Sequence, residues 1–484
     1  MPILLLTGKK EINILEINKN LHGVSLFASG GIGDLALRRA GVSVIVANEI
    51  LEDRVQLFKN NFPETLMLEG DIWQVKESIV ENTLRILDGK ELDFLLATPP
   101  CQGMSKNGRG KLLSMVRNHG KPEFDVRNQL IIPTVEIIKK LRPRIVVMEN
   151  VPEMENTVIP IPGDGERLAN ILDFVAEQLS DEYVGHWEVV EFANYGVPQR
   201  RQRLITVFTR DPVLISYYRT HNHFLPSPTH SEKGSCGTKK WMSVRDAISH
   251  LPSLNAGEKS TAIHPVLALH EVPLLDEEKY FWVSNTPHEK GAFDNQCVNQ
   301  KCMYDANPVH GSYRTDDGIN RAKETTPLYC VKCGEVLPRP WVGSGNDRRL
   351  MKGFTSAYKR MSWDMPASTI TTNFAYACSD NKLHPEQHRT LSILEALILH
   401  TIDQFPYEFR YANGKKISKK TVRDVIGESV PPAGLKVIFD HLLCIMSGVV
   451  VNQTTDKTHN QSGQLFGPIG SFEEIGEDNL KLFM

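Results

Sequence analysis

The chain has no apolar run approaching the roughly 20 residues that a membrane-spanning helix needs, and Leu4–Leu6 is too short for the core of a secretory signal. A cytoplasmic protein with no membrane partner is the expectation. It also lacks an excess of basic residues: 55 Lys and Arg stand against 58 Asp and Glu, a net charge of −3. That excludes a nucleic-acid binder working by overall charge, so any surface for a polyanion must come from local clustering. Cysteine is sparse, with 8 in 484 residues, and four of these lie between Cys297 and Cys333. This distribution argues against a disulfide framework and fits a metal site in a reducing compartment. What remains is ordinary. A chain 41% hydrophobic and 23% charged is globular, and this one is long enough for two or three domains.

The most informative stretch is Asp93 to Gly110, DFLLATPPCQGMSKNGRG. Phe94 to Ala97 reads as a short buried strand, and Pro99 and Pro100 stop it and present Cys101 at its carboxyl end. Open α/β sheets place their ligands there, and the two prolines stiffen the turn. Cys101 reads either as a nucleophile or as one more small buried residue.

Three further segments repeat the design. RIVVMENV (144–151) is an apolar strand delivering Glu149 and Asn150. NYGVPQRRQRLITV (194–207) sets Gln199, Arg201 and Arg203 at alternating positions entering a strand, so they share one face, expected to be basic. SLFASGGIGDLALRRA (25–40) is strand, glycine turn and helix. A second strand, Val42 to Ala47, ends at Asn48 and Glu49; an acid there accepts from ribose hydroxyls or serves the next helix. Strand and helix alternate from Val24 onward, which predicts an α/β fold with a doubly wound, mostly parallel sheet.

In order, these segments resemble the C5-cytosine DNA methyltransferases. The family's glycine turn, Pro-Cys-Gln, Glu-Asn-Val, Gln-x-Arg-x-Arg and closing glycine-led segment correspond to Phe27–Gly33, Pro100-Cys101-Gln102, Glu149-Asn150-Val151, Gln199-x-Arg201-x-Arg203 and GESVPP at 427–432. The resemblance covers residues 24 to 210 and 360 to 445. It implies a Rossmann-like methyltransferase domain with an inserted, smaller target-recognition domain. S-adenosyl-L-methionine would be the methyl donor and double-stranded DNA the substrate, within a restriction-modification or phage-defence system and alongside its cognate components.

The resemblance also implies roles. Cys101 adds to carbon 6 of a flipped-out cytosine, Glu149 protonates or hydrogen-bonds ring N3, and Arg203 holds O2 and Glu149, with Gln199 and Arg201 as props. Cofactor contacts fall to Phe27, Ser29, Gly31, Glu49, Asp71, Ile72, Pro99, Leu130, Ser429 and Val430. Two departures stand out. Ser29 and Ile32 occupy usual glycine positions, and Glu428 sits where an amide is usual.

The expected divisions are an N-terminal arm (1–22), the first part of the catalytic domain (23–212), the recognition domain (213–358), a return segment completing the catalytic domain (359–450) and a polar tail (451–484). Helices are expected over Arg127–Leu141, near Leu168–Leu179, over Arg389–Phe405 and over Ala433–Met446, with regular structure returning at Met361–Asn373. Lys106, Arg109, Lys111, Arg117 and Lys121 form either a loop closing over phosphates or a solvated face. Cys297-x4-Cys302 and Cys330-x2-Cys333 supply two thiolates each from tight turns, the set that a structural tetrahedral Zn2+ site needs, with His288 or His310 as an alternative ligand. An RNA (tRNA) methyltransferase and a non-catalytic DNA-binding protein that retains the fold are the competing readings.

Overall fold

The structure, a computed structural model, describes residues 21–100, 125–161, 168–235, 237–309, 312–314, 320–323, 325–351 and 356–448. Cys101, the basic residues Lys106, Arg109, Lys111, Arg117 and Lys121, His310 and residues 451–484 lie outside these residues, as does the expected arm up to residue 20.

Seven strands form one sheet: β1 (Leu21–Leu26), β2 (Val42–Glu49), β3 (Leu66–Glu69), β4 (Phe94–Ala97), β5 (Ile145–Asn150), β6 (Val184–Glu191) and β7 (Gln202–Thr209). Their order is β3-β2-β1-β4-β5-β7-β6. Pairings from β3 through β5 are parallel, and β7 runs antiparallel between β5 and β6. Every residue of β4 and β5 is buried, which is why these strands read as continuous apolar runs and not as alternations. The chain steps outward from β1 to β3 and then returns to β4 on the other side of β1. The order therefore reverses between β1 and β4, and the crevice beyond their carboxyl ends is the natural ligand site.

Helices cover both faces. On one, α3 (Ile72–Leu87), α4 (Ile131–Leu141) and α5 (Ile171–Leu179) enclose a core with Leu95, Val146 and Phe208. α3 shows how the sequence writes this: Asp71 caps it by accepting from the Trp73 N–H, and Ile72, Ile79, Val80, Thr83 and Leu87 form the buried stripe. The other face packs against α1 (Asp34–Arg39), α2 (Glu52–Asn61), α6 (Pro212–His221) and residues from the far end of the chain.

Several expected boundaries shift. The helix expected over Arg127–Leu141 divides into a 3-10 turn, Val126–Leu130, and α4, with the Asp125 side chain accepting from the Arg127 N–H. The one near Leu168–Leu179 begins only at Ile171, because Asn170 caps it and Leu168–Asn170 pairs with Val158–Pro160. The main core also runs past residue 212, taking in Leu214, Phe224, Val244 and Ile248.

The middle segment has small cores of its own. One surrounds Trp282 of helix α7 (Glu277–Ser284) with Trp341, Tyr358 and Leu383. Its coil leaves carbonyls that no ladder satisfies, and buried guanidinium groups fill the gap. Arg360 donates to the carbonyls of Val283, Thr286, His384 and Gln387, and Arg339 to those of Asn295, Pro308 and Pro327. Met361–Asn373 forms no regular element, contrary to expectation. It is held by single bridges such as Gln199↔Ala367. The Arg389–Phe405 stretch yields a shorter helix, α8 (Ile393–Leu399), capped by Ser392 and Glu395, with a 3-10 turn, Ile402–Gln404, after it.

The chain then returns to the sheet through α9 (Lys419–Glu428) and α10 (Pro432–Met446). This apolar 419–446 stretch is long enough to cross a membrane, but it is mostly buried here, with Leu435, Phe439 and Leu442 fully enclosed.

Candidate active site and cofactor crevice

The β5/β7 register sets Asn150 opposite Leu204, so Arg203 enters the sheet one step beyond the carboxyl end of β5. There its Nε meets Glu149 Oε1 at 2.7 Å, with the two side chains 15% and 10% exposed. Burial raises the Glu149 carboxyl above the ordinary glutamate range, and the nearby Arg203 and Arg201 charges only partly oppose it. Asn150 donates from Nδ2 to the Pro99 carbonyl at 3.1 Å, while its Oδ1 accepts from the Val151 N–H. Thr98 Oγ1 donates to the Phe27 carbonyl at 3.1 Å. The stem from which the Cys101 turn departs is thus tied to both neighbouring strands, although Cys101 itself lies outside the described residues.

The expected basic face of Gln199, Arg201 and Arg203 is not an open one. Gln199 and Arg201 are completely buried and bind the return segment. Arg201 donates to the carbonyls of Ile370, Gly427 and Ser429, and Gln199 donates to Leu399 O and accepts from the Ile370 N–H. Gln199 Nε2 also lies 3.0 Å from His400 Nδ1, and His400 Nε2 lies 3.0 Å from Ser429 Oγ. Since an amide Nε2 can only donate, Nδ1 accepts and Nε2 carries the proton. Burial keeps His400 neutral, well below its ordinary pKa. Gly427 makes this closeness possible: a Cβ there would stand 2.1 Å from the Thr372 nitrogen.

Just past the end of β1 the backbone is strained. Phe27 (φ 59°) and Ser29 (φ 47°) adopt the left-handed conformation beside Gly31 (φ 83°), where a Cβ would meet the Phe62 ring at 2.5 Å. Ser29 thus takes a glycine's conformation at the position where the family pattern has glycine. Its N–H donates to Glu49 Oε2 at 2.9 Å, and the Ile50 and Leu51 N–H groups donate to Oε1. Glu49 therefore organises both the turn and the entry to α2, and its carboxylate keeps acceptor capacity for a further donor. The Ser29 hydroxyl is buried without a partner. An orphaned hydroxyl beside a carboxylate at the switch point fits a ribose-bearing cofactor such as S-adenosylmethionine.

The other expected cofactor residues divide. Pro99 lines the crevice stem, Asp71 caps α3 at its mouth, and Leu130 is half-buried against the second core. Ile72 and Val430 are core side chains, 2% and 3% exposed, and the Ser429 hydroxyl is occupied by His400 and the Ile426 carbonyl. Their side chains are thus committed to the fold, and only their backbone atoms are left to meet a ligand.

Sequence reasoning missed two residues. Arg54, on α2, makes a bidentate pair with Glu428 (3.1 and 3.3 Å) and lies 2.5 Å from Asp53. The unusual Glu428 is the signal in the sequence, and the buried Arg54 guanidinium is the cation that its carboxylate serves. Tyr407 donates its hydroxyl to the Gly30 carbonyl at 2.7 Å, and no pattern announced it. Because Glu428 is committed to Arg54, Glu428→Ala should lower the melting temperature but change S-adenosylmethionine affinity little. Glu49→Ala should weaken that affinity by roughly 1.5–3 kcal/mol, the value of a charge-assisted hydrogen bond. Calorimetric titration ranks the two, and a larger loss at Glu428 would reverse the assignment.

In the middle segment the Cys297, Cys302, Cys330 and Cys333 Sγ atoms all lie within 4.8 Å of one another. The 297–333 and 302–330 separations are 3.7 and 3.9 Å. A tetrahedron with Zn–S bonds of about 2.3 Å has edges of roughly 3.8 Å, so the four thiols fit such an ion. Asn307 Nδ2 donates to Cys330 Sγ at 3.7 Å, the outer hydrogen bond that a thiolate ligand attracts. His288 is outside this group.

Residues 21–444 match the family model described as C-5 cytosine-specific DNA methylase. Among curated proteins, the chain is 29% identical to Type II methyltransferase M1.HgaI of Avibacterium volantium, over 86% of this chain and 96% of that one. It is 26% identical to Type II methyltransferase M1.HphI of Haemophilus parahaemolyticus, over 88% and 87%. A third relative, Type II methyltransferase M.AgeI of Thalassovita gelatinovora, is 24% identical over 84% and 96%. With a family model spanning nearly the whole described fold, the chain belongs to the C-5 cytosine-specific DNA methylases and is a DNA cytosine-5 methyltransferase, drawing its methyl group from S-adenosylmethionine as that family does.

Proposed function

We propose that the Glu149 edge of the sheet receives a cytosine flipped out of double-stranded DNA and that Cys101 attacks it. The observation that carries this reading is the buried Glu149–Arg203 pair at 2.7 Å, next to the tied stem that leads into Cys101. Carbon 5 of cytosine is a weak nucleophile, so the ring's conjugation must be broken first. The Cys101 thiolate adds to carbon 6 while Glu149 donates a hydrogen bond or proton to N3, drawing electron density towards N3 and leaving carbon 5 nucleophilic. Arg203 holds O2 and keeps Glu149 oriented. S-adenosylmethionine, held by Glu49, Ser29 and the strained Phe27–Gly31 turn, supplies an electrophilic methyl group. Loss of the carbon 5 proton then expels the Cys101 thiolate and restores the ring.

In this reading Cys297, Cys302, Cys330 and Cys333 hold one structural zinc ion within the recognition domain expected over 213–358, and the enzyme acts in the cytoplasm as the modification arm of a restriction or defence system. Its Type II relatives support the last point. Bisulfite sequencing of DNA from cells expressing the protein tests the reading. Methylated cytosines within one recurring sequence are expected, and unmethylated DNA despite bound S-adenosylmethionine would refute it.

A further inference from the structure

β6 ends and β7 begins on the same edge of the sheet as Glu149, since both strands pair there with one another and β7 pairs with the end of β5. The turn between them, Phe192–Tyr195, carries a surface loop over residues 229–241. Thr229 N–H donates to the Asn194 carbonyl at 3.0 Å, Lys239 N–H to Thr229 O at 3.0 Å, and Trp241 N–H to Ser231 O at 2.8 Å. Trp241 is also pinned through its side chain, with Nε1 donating to Asn194 Oδ1 at 2.9 Å. Over that fixed ring lies the Arg200 guanidinium, 5.3 Å from the centroid, three residues before Arg203.

The charges here do little for the fold. Lys233, Lys239 and Lys240 are exposed and form no close ion pair among the described residues, Lys240 feeling Asp246 only at longer range, and Glu232 is the only acid in the loop. Arg200 is 53% exposed with a single loose ion pair, 3.6 Å to Glu191. In a chain of net charge −3, three unpaired ammonium groups and a pre-oriented guanidinium on the catalytic edge form a local positive surface. Like charges held together repel, and a polyanion relieves that repulsion by releasing its own counterions. Stacking on Trp241 fixes Arg200 in advance, so little freedom is lost when it meets an anion.

We propose that Lys233, Lys239, Lys240 and Arg200 form a sequence-independent clamp on the phosphates of the DNA beside the flipped cytosine. The proposal rests on the reading that the Glu149 edge receives that base. Long ammonium stems and a guanidinium suit phosphate oxygens, and the Arg200 guanidinium, laid over the Trp241 ring, is placed to meet the backbone of a duplex seated on this edge.

The test is fluorescence anisotropy of a labelled duplex of arbitrary sequence, titrated with the full-length protein over a series of KCl concentrations. Lys239→Ala/Lys240→Ala should reduce the slope of log affinity against log salt by about 1.8 and weaken binding roughly thirtyfold near physiological salt, at about 0.9 per phosphate contact. Adding Arg200→Ala should remove a further ~0.9. S-adenosylmethionine affinity and the methylated sequence found by bisulfite sequencing should stay as in the wild type. An unchanged slope in an active enzyme would overturn the clamp, and so would a changed methylated sequence. A wild type that methylates no DNA would instead sink the reading of the Glu149 edge.

Discussion

Alanine at Cys101 should abolish methyl transfer, and glutamine at Glu149 should slow it by about 10²–10⁴-fold, the usual contribution of a placed general acid. Both variants should bind S-adenosylmethionine like the wild type, because the crevice proposed for it is formed by Glu49, Ser29 and the Phe27 turn and uses neither residue. DNA containing 5-fluorocytosine should trap a covalent adduct with the wild type and none with Cys101→Ala, since fluorine at carbon 5 cannot leave as a proton. Glu149→Gln carries a pH signature as well. Burial raises the native pKa of Glu149, so its donor form is fully present below the ordinary glutamate pKa and disappears as pH rises through the raised value. kcat should therefore fall on the alkaline side of that pKa, and the glutamine variant should lose this limb. A limb that survives in Glu149→Gln, or turnover by Cys101→Ala, would remove these residues from the chemistry.

The second large effect is expected in the cysteine cluster. Zinc bound by four thiolates contributes on the order of 10–16 kcal/mol in small modules. That rivals the entire 5–15 kcal/mol stability of a typical domain. The apolar core at these cysteines is small, with Leu337 as its fully buried aliphatic residue. Cys330→Ser/Cys333→Ser should consequently lose the metal, unfold the surrounding loops, and cost DNA affinity and sequence discrimination together. S-adenosylmethionine binding should persist, because the crevice shares no residue with the cluster. Elemental analysis should find about one zinc per chain in the wild type. Metal-free protein that still methylates its own sequence would defeat the assignment.

The sequence made some of this legible and hid the rest, for physical reasons. β4 and β5 could be read because central parallel strands are apolar throughout, and Glu149 and Arg203 were singled out through the motifs that resemble the family's, residues that the sheet brings together as an ion pair. The four cysteines could be grouped because each pair is local. Partners far apart in the chain could not be read. Arg201 reveals its charge in the sequence, but not that it serves carbonyls at 370, 427 and 429. The fully buried Gln199 and Arg201 therefore passed for part of a basic face. Arg54 and Glu428 are 374 residues apart, so the odd acid was visible without its cation. Met361–Asn373 was expected to be regular, yet backbone partners such as Leu383 and Pro198 belong to other segments.

The closure of one sheet face by α10 also bears on how the protein is made. Leu35, Leu37, Phe94 and Val147 share their core with Leu435, Phe439 and Leu442, which emerge from the ribosome only after residues 249–431 have been synthesised. At about 5–20 residues per second, that interval is on the order of ten to forty seconds. Throughout it the nascent chain carries an apolar sheet face that α1, α2 and α6 cover only in part. Chaperone demand during synthesis is thus written into the position of the last helix, and a ribosome stalled within the middle segment would release an aggregation-prone fragment.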